Sequence, residues 1–242
     1  MAPVFDLVSK NQTLKLAFEY LLLALAVFWF KSAGGFWLSL VVLVSLTYLY
    51  LRITSQANRF FIAALSSVVL IFIFPVNTDE GLYLILFSLF WALVSYLLIG
   101  TKDLLFINRK LTGQLAYFLI ISAGAYMLLS GASLKGQIFF FVLCTLLLKE
   151  LYQFLTENSS GVSLLKGMSL SLIALELSWA ISLLPFSPAS GLILLISSMY
   201  MMHFLVLNYE SGLPDLKLVL RGVGILLVIA LVISILSSWS LS

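Results

Sequence analysis

Apolar stretches follow one another along nearly the whole chain, separated only by short segments marked by charge, glycine or proline. About 20 mostly apolar residues are needed for a helix to cross the hydrocarbon core of a bilayer. Of the 242 residues, 62% are hydrophobic and 10% are charged, which is more apolar surface than a soluble domain could bury. The sequence therefore predicts an all-α polytopic bundle of about nine transmembrane helices, at residues 14–31, 35–52, 59–75, 81–100, 112–130, 137–156, 166–185, 189–208 and 217–238.

Basic residues indicate how this bundle is oriented. Lysine and arginine near membrane spans are retained on the cytoplasmic side. With the N-terminus in the cytoplasm and nine helices, only Lys31 and Lys135 fall outside, and every other basic residue lies on or toward the cytoplasmic side. The sequence therefore predicts a cytoplasmic N-terminus and a C-terminus outside.

The whole chain, residues 1–242, is predicted to form a single integral membrane domain, within which an internal repeat is one interpretation. Residues 64–100 align without gaps on residues 174–210, and Pro75 then meets Pro185. Predicted helices two to five and six to nine, in halves 35–130 and 137–238, would form a parallel repeat like those of some transporters. Alternatively, leucine-rich helices match one another by composition, and both interpretations stay open.

Ionisable residues within apolar helices are the candidates for function, because a charge in hydrocarbon is costly. Glu176 lies about ten residues past Lys166, near the middle of the predicted helix 166–185. Lys149, in the preceding antiparallel helix, has a similar depth and could pair with it. Alternatively, Lys149 extends toward the headgroups and Glu176 is protonated.

Four further residues complete the predicted polar set: Glu150, His203, Glu19 and Arg221. His203 is the only histidine, and a lone histidine is either a hydrogen-bonded packing residue or a proton relay. Glu19 and Arg221 are predicted to lie near the cytoplasmic interface. All six candidates fall in the cytoplasmic half of the predicted bundle, where they would line a water-filled cavity or mark helix ends placed slightly deep.

Small residues at 122–125 and at Gly222–Gly224 predict close helix packing. Trp91 and Trp179 lie within predicted helices rather than at their ends, so both are predicted to pack inside the bundle.

The sequence offers no signature of catalysis or cofactor binding. It contains no HExxH, GxSxG, P-loop or GxGxxG motif and no pair of aspartates at metal-ligand spacing. Cys144 is the only cysteine, which excludes an intrachain disulfide and a CxxC metal site. The net charge of +3 reflects cytoplasmic Lys and Arg rather than nucleic-acid binding. The expected partners are the lipid bilayer and another membrane protein or a second copy, with no cofactor or metal.

The segment Ser178–Pro185 (SWAISLLP), the segment Tyr209–Leu213 (YESGL) and the end of the last predicted helix, Ser237–Trp239 (SSW), carry a resemblance. Over roughly the last quarter of the chain, the sequence resembles an uncharacterised family of small polytopic membrane proteins from candidate-phyla (Patescibacteria-like) bacteria. The resemblance implies a multi-pass protein of the bacterial plasma (inner) membrane. That family has no assigned activity, so the resemblance implies no functional residue.

Three functions fit these observations. A small transporter or permeation protein would use Glu176 as its central polar residue. A non-catalytic scaffold or subunit of a cell-envelope complex would explain the short loops and missing catalytic motifs. A lipid-processing enzyme would need a nucleophile and a base at one interface, for which the sequence offers only scattered candidates.

Overall fold

The computed structural model describes residues 20–32, 41, 60–75, 81–102, 108–131, 133–156, 159–210 and 216–236. All regular structure in these ranges is α-helical, as predicted. The described helices are α1 (Tyr20–Ser32), α2 (Phe61–Ile73), α3 (Gly81–Lys102), α4 (Arg109–Ser130), α5 (Leu134–Thr156), α6 (Ser160–Ser182), α7 (Pro188–Glu210) and α8 (Leu216–Leu236).

Five of these helices, α3 to α7, are long and apolar enough to cross a membrane. They indicate a multi-pass membrane protein and confirm the predicted helical bundle to that extent. The predicted helix at 35–52 falls almost entirely outside the described residues, as does Glu19. The total of nine helices and the orientation of the termini stay predictions.

The largest difference between a predicted and an observed helix concerns α6. The prediction took Lys166 as the first residue, whereas the helix begins six residues earlier at Ser160. A lysine within the first turns can extend its ammonium group along the helix toward the headgroups, so it does not end a span. At the other end, the backbone tightens after Ser182, where Leu183 and Leu184 donate to the carbonyls of Ala180 and Ile181. Pro185 disfavours helical geometry in the residue before it.

Backbone contacts divide the chain into two compact units, residues 1–120 and 121–242. In the first unit, α2 packs on α3, and an aromatic cluster runs from Phe74 through Phe87 to Trp91. Trp91 is 0% exposed, which confirms its predicted place inside the bundle.

Lys31 links α1 to the end of α2. Its ammonium group donates hydrogen bonds to the carbonyl oxygens of Phe74 (2.9 Å) and Phe72 (3.4 Å). It also lies 5.6 Å and 5.5 Å from the ring centres of Phe30 and Phe87. A cation at a helix C-terminus satisfies carbonyls that have no partner within the helix and is favoured by the helix dipole. Lys31 is one of the two basic residues predicted to lie outside, and this contact gives a physical reason for a lysine at that position.

Lys31→Met is expected to lower the stability of the first unit by about 1–2 kcal/mol, because two carbonyls lose their donor and the cation–π contacts disappear. In a chain of this size that corresponds to a fall of roughly 2–8 °C in the Tm measured in detergent micelles. Lys135→Met is the matched control, because Lys135 is exposed in the first turn of α5. Equal shifts for the two variants would contradict the role assigned to Lys31.

In the second unit, helices α5 to α8 pack in chain order, each against the next. The α5–α6 pair is antiparallel and centres on Gly167. A Cβ atom at Gly167 would lie 2.8 Å from the carbonyl oxygen of Thr145 and 3.0 Å from the amide nitrogen of Lys149. Ser163 and Ser171, one turn away on either side, are buried on the same face. This small-residue stripe lets the two backbones touch, as in other membrane helix pairs.

Close helix packing was predicted at the small residues 122–125 and 222–224. Gly124 faces Leu143, whose Cδ2 would lie 2.7 Å from an added Cβ, and Gly222 packs directly on the side chain of Met201. Both confirm predicted close packing. Among the described residues, no atom lies within 4 Å of a Cβ added at Gly224, so close packing at that position stays a prediction.

Candidate functional site

The single histidine is buried between α5 and α7. His203 is 1% exposed, and its Nδ1 lies 3.2 Å from the hydroxyl oxygen of Tyr152. The two rings are tilted against each other with centres 5.3 Å apart. His203 was predicted as a candidate, whereas Tyr152 was not. Tyrosine is so common in membrane helices that its sequence position gave no signal.

One charged residue lies near this pair, and a second is buried on the same helix as Tyr152. The ammonium group of Lys166, from the first turns of α6, is 5.9 Å from the ring centre of Tyr152. Glu150, two residues before Tyr152 on α5, is 7% exposed and makes a polar or electrostatic contact of its own. The histidine, the phenol and the lysine thus come from three different helices of the second unit.

A row of small polar side chains continues from this cluster along the α5–α6 contact. The Ser171 hydroxyl donates to the carbonyl oxygen of Gly167 (2.7 Å). Among the described residues, the buried hydroxyls of Thr145 and Ser163 have no hydrogen-bond partner. The spacing Ser163, Gly167, Ser171 was readable in the sequence as a small residue at every fourth position.

Glu176 lies elsewhere, on the exposed side of α6. It follows Ser160 by sixteen residues and precedes Ser182 by six, so it is about 9 Å from the C-terminal end of the helix. Because α6 begins six residues earlier than predicted, Glu176 lies past the middle of the helix rather than at its centre. Leu172 and Trp179, at 51% and 63% exposure, flank it on the same side.

The structure does not bring Lys149 and Glu176 together. Lys149 is half-buried with its backbone against Gly167. Glu176 lies nine residues further along α6, about 13 Å along the axis and on the face that turns away from α5. The prediction compared only how many residues separate Lys149 and Glu176 from their helix ends. It did not include the register between the two helices or the direction of each side chain.

The six predicted polar residues therefore divide into three groups. Glu150 and His203 are buried within the second unit, and Lys149 is half-buried there. Glu176 and Arg221 are exposed. Glu19 lies outside the described residues. Those that are described do not converge on a common cavity lining.

The structure also corrects the prediction that Trp179 packs inside the bundle. It is exposed and lies three residues from the end of α6, where an indole suits the boundary between hydrocarbon and headgroups. The predicted helix ended three residues later, which made this tryptophan look deeper than it is.

Within the part of the chain that the structure describes, no three His, Cys, Asp or Glu side chains come together in a group that could hold a metal ion. No protein-family model, curated protein sequence or solved structure matches this chain.

Proposed function

We propose that this multi-pass membrane protein serves as a non-catalytic subunit of a membrane-protein complex and holds its partner through one face of α6. That face, called the Glu176 face below, consists of Leu165, Ser169, Leu172, Glu176 and Trp179, together with Leu183 directly after the end of the helix. All six side chains are exposed.

The exposed carboxyl of Glu176 carries this proposal. An acidic side chain against lipid costs about 2.5–3.5 kcal/mol at the centre of a span. Lysine and arginine escape part of this cost because their long stems reach the interface. Glutamate is too short to do so from about 9 Å inside the helix end. A second protein helix that hydrogen-bonds the carboxyl removes the penalty.

The surroundings of Glu176 support the same interpretation. The buried stripe of α6, with Gly167 at its centre, is occupied by α5, and the Glu176 face points away from it. A carboxyl on that outer face is poorly placed for a permeation path inside the second unit. It is well placed to meet a helix arriving from outside.

Photo-crosslinking in cell membranes tests this function. A diazirine amino acid at Leu172 is expected to give a protein adduct of defined mass, and Glu176→Leu in the same chain is expected to weaken that adduct. The control carries the probe at Leu231 of α8, which is similarly exposed on another helix. Lipid adducts alone at Leu172, or an identical protein adduct at both positions, would contradict the proposal.

A second candidate function, proton-coupled transport, is favoured by the buried His203–Tyr152 pair. An imidazole and a phenol in hydrogen-bond contact can pass a proton between them, and ionisable groups inside membrane proteins mark such relays. This function requires that proteoliposomes show a proton flux that His203→Ala removes.

A further inference from the structure

Three helices of the second unit meet around one buried imidazole. His203 of α7 is 1% exposed, and its Nδ1 lies 3.2 Å from the hydroxyl oxygen of Tyr152 on α5. Lys166 of α6 places its ammonium group 5.9 Å from the centre of the same tyrosine ring. A titratable side chain thus joins α7 to α5 through a polar contact.

We infer that this contact is an acid-sensitive latch, which holds α7 against α5 while His203 is neutral and releases it when the imidazole takes up a proton. The inference goes beyond the proposed function, because it concerns the buried side of α7 and not the Glu176 face.

The side chains around His203 suit a neutral imidazole. On α7 itself, the ring centre of Tyr200 lies 6.5 Å from that of His203, and on α5 the ring centre of Tyr152 lies 5.3 Å away. The Lys166 ammonium group, next to the Tyr152 ring, repels a second cation. Lys149, three residues before Tyr152, is half-buried and adds to the positive charge.

Other charged side chains of the neighbouring helices lie on other faces. Glu150 precedes Tyr152 by two residues, so α5 turns it about 200° away from the side of that tyrosine. Three further charged residues are exposed: Glu176 of α6, and Lys217 and Arg221 of α8. A proton on His203 therefore places a charge at a buried contact between helices, where it is costly.

Protonation also changes the hydrogen bond itself. In the neutral pair, the Tyr152 O–H can donate to Nδ1 of His203. An imidazolium carries a hydrogen on both ring nitrogens and can only donate, so the tyrosine hydrogen loses this acceptor. Water and headgroups can solvate both groups once α7 has moved away from α5.

The other contacts of the second unit allow α7 to move at this end. At Gly167, α5 and α6 touch through their backbones, whereas α7 meets α5 through the side chains of His203 and Tyr152. Near the start of α7, a Cβ atom at Gly191 would lie 2.9 Å from Cγ2 of Ile181. This close contact is twelve residues from His203, about 18 Å, so it can persist while the other end of α7 separates.

Thiol accessibility in detergent micelles tests the latch. In a Cys144→Ala background, Met199→Cys places one thiol on the buried side of α7, one turn before His203. Its reaction with a pyridyl disulfide is followed at about pH 7.5 and about pH 5.5, relative to the same chain after denaturation. An exposed imidazole titrates near pH 6.5, so acidification favours the released state about tenfold. We expect the relative rate to rise by about the same factor.

Two variants separate the latch from a general loss of structure in acid. His203→Asn keeps an acceptor for the Tyr152 hydroxyl but has no imidazole to titrate, so its two rates are expected to agree within about twofold. Ser171→Cys places the thiol between α5 and α6, where it is expected not to respond. An unchanged rate for Met199→Cys, a tenfold rise that persists with His203→Asn, or an equal rise for Ser171→Cys overturns the inference.

The chain without added cysteines provides a second measurement. Its Tm is expected to fall more between the two pH values than the Tm of His203→Asn, and equal falls would overturn the latch. Glu176→Leu is expected to keep the native acid response, so a failure of the latch is distinguishable from a failure of the proposed partner contact.

Discussion

Leucine in place of Gly167 is expected to force α5 and α6 apart and to lower the free energy of unfolding by about 3 kcal/mol. The obstacle is rigid, because an added Cβ would meet two backbone atoms of α5, at 2.8 Å and 3.0 Å. Side chains can rotate away from an overpacked site, whereas these backbone atoms belong to a helix. The measurement is thermal or denaturant unfolding in micelles, with an expected fall in Tm of roughly 6–12 °C.

Other glycines of the second unit supply graded controls for this prediction. At Gly161, on the same helix, an added Cβ would have no described atom within 4 Å, so Gly161→Leu is expected to leave Tm unchanged or slightly higher, since leucine is the better helix former. The methyl group of Gly222→Ala meets only the flexible side chain of Met201. The Tm of this variant is therefore expected to lie between those of the Gly161 and Gly167 variants. A Gly161 variant as unstable as the Gly167 variant would contradict the packing role of Gly167.

His203→Ala is expected to cost about 3 kcal/mol, the second large effect. It leaves a cavity where a fully buried ring packs, and it leaves the Tyr152 hydroxyl buried without its imidazole partner. Tyr152→Phe keeps the ring in place and is expected to cost less, about 1–2 kcal/mol.

A double-mutant cycle separates the hydrogen bond from the loss of packing. The variant with both substitutions is expected to be more stable than the sum of the single effects predicts, by about 1 kcal/mol, as for other polar pairs between membrane helices. Strict additivity would show that the 3.2 Å contact contributes nothing to stability.

The positions of the helices along the chain were predicted better than the side of each helix that packs against a neighbour. Long apolar stretches and the prolines at 75 and 185 located the helices within a few residues for most of the described chain, because length and hydropathy alone decide what can cross a bilayer. The start of α6 was wrong because a lysine was taken as a boundary, although its ammonium group can reach water from inside the helix.

The rotation of α6 about its axis could not be predicted, because its polar residues are spread around the helix rather than confined to one face. In a soluble protein the polar face of a helix points to water, whereas both faces of a membrane helix are apolar. Depth therefore suggested a Lys149–Glu176 pair, and the register around Gly167 excludes it. The serines flanking Gly167 did contain the missing information, since small residues at every fourth position mark the face that a neighbouring helix approaches.

The contact at Gly167 also bears on the order in which the protein is made. It joins two consecutive helices across a connection of only three residues, 157–159, so the pair can close as soon as both segments have left the ribosome. The His203–Tyr152 contact lies 51 residues apart in sequence and has to wait for α7. Helices α5 and α6, residues 134–182, can therefore enter the bilayer together as a preformed helical hairpin. Helices α7 and α8 then pack onto this hairpin.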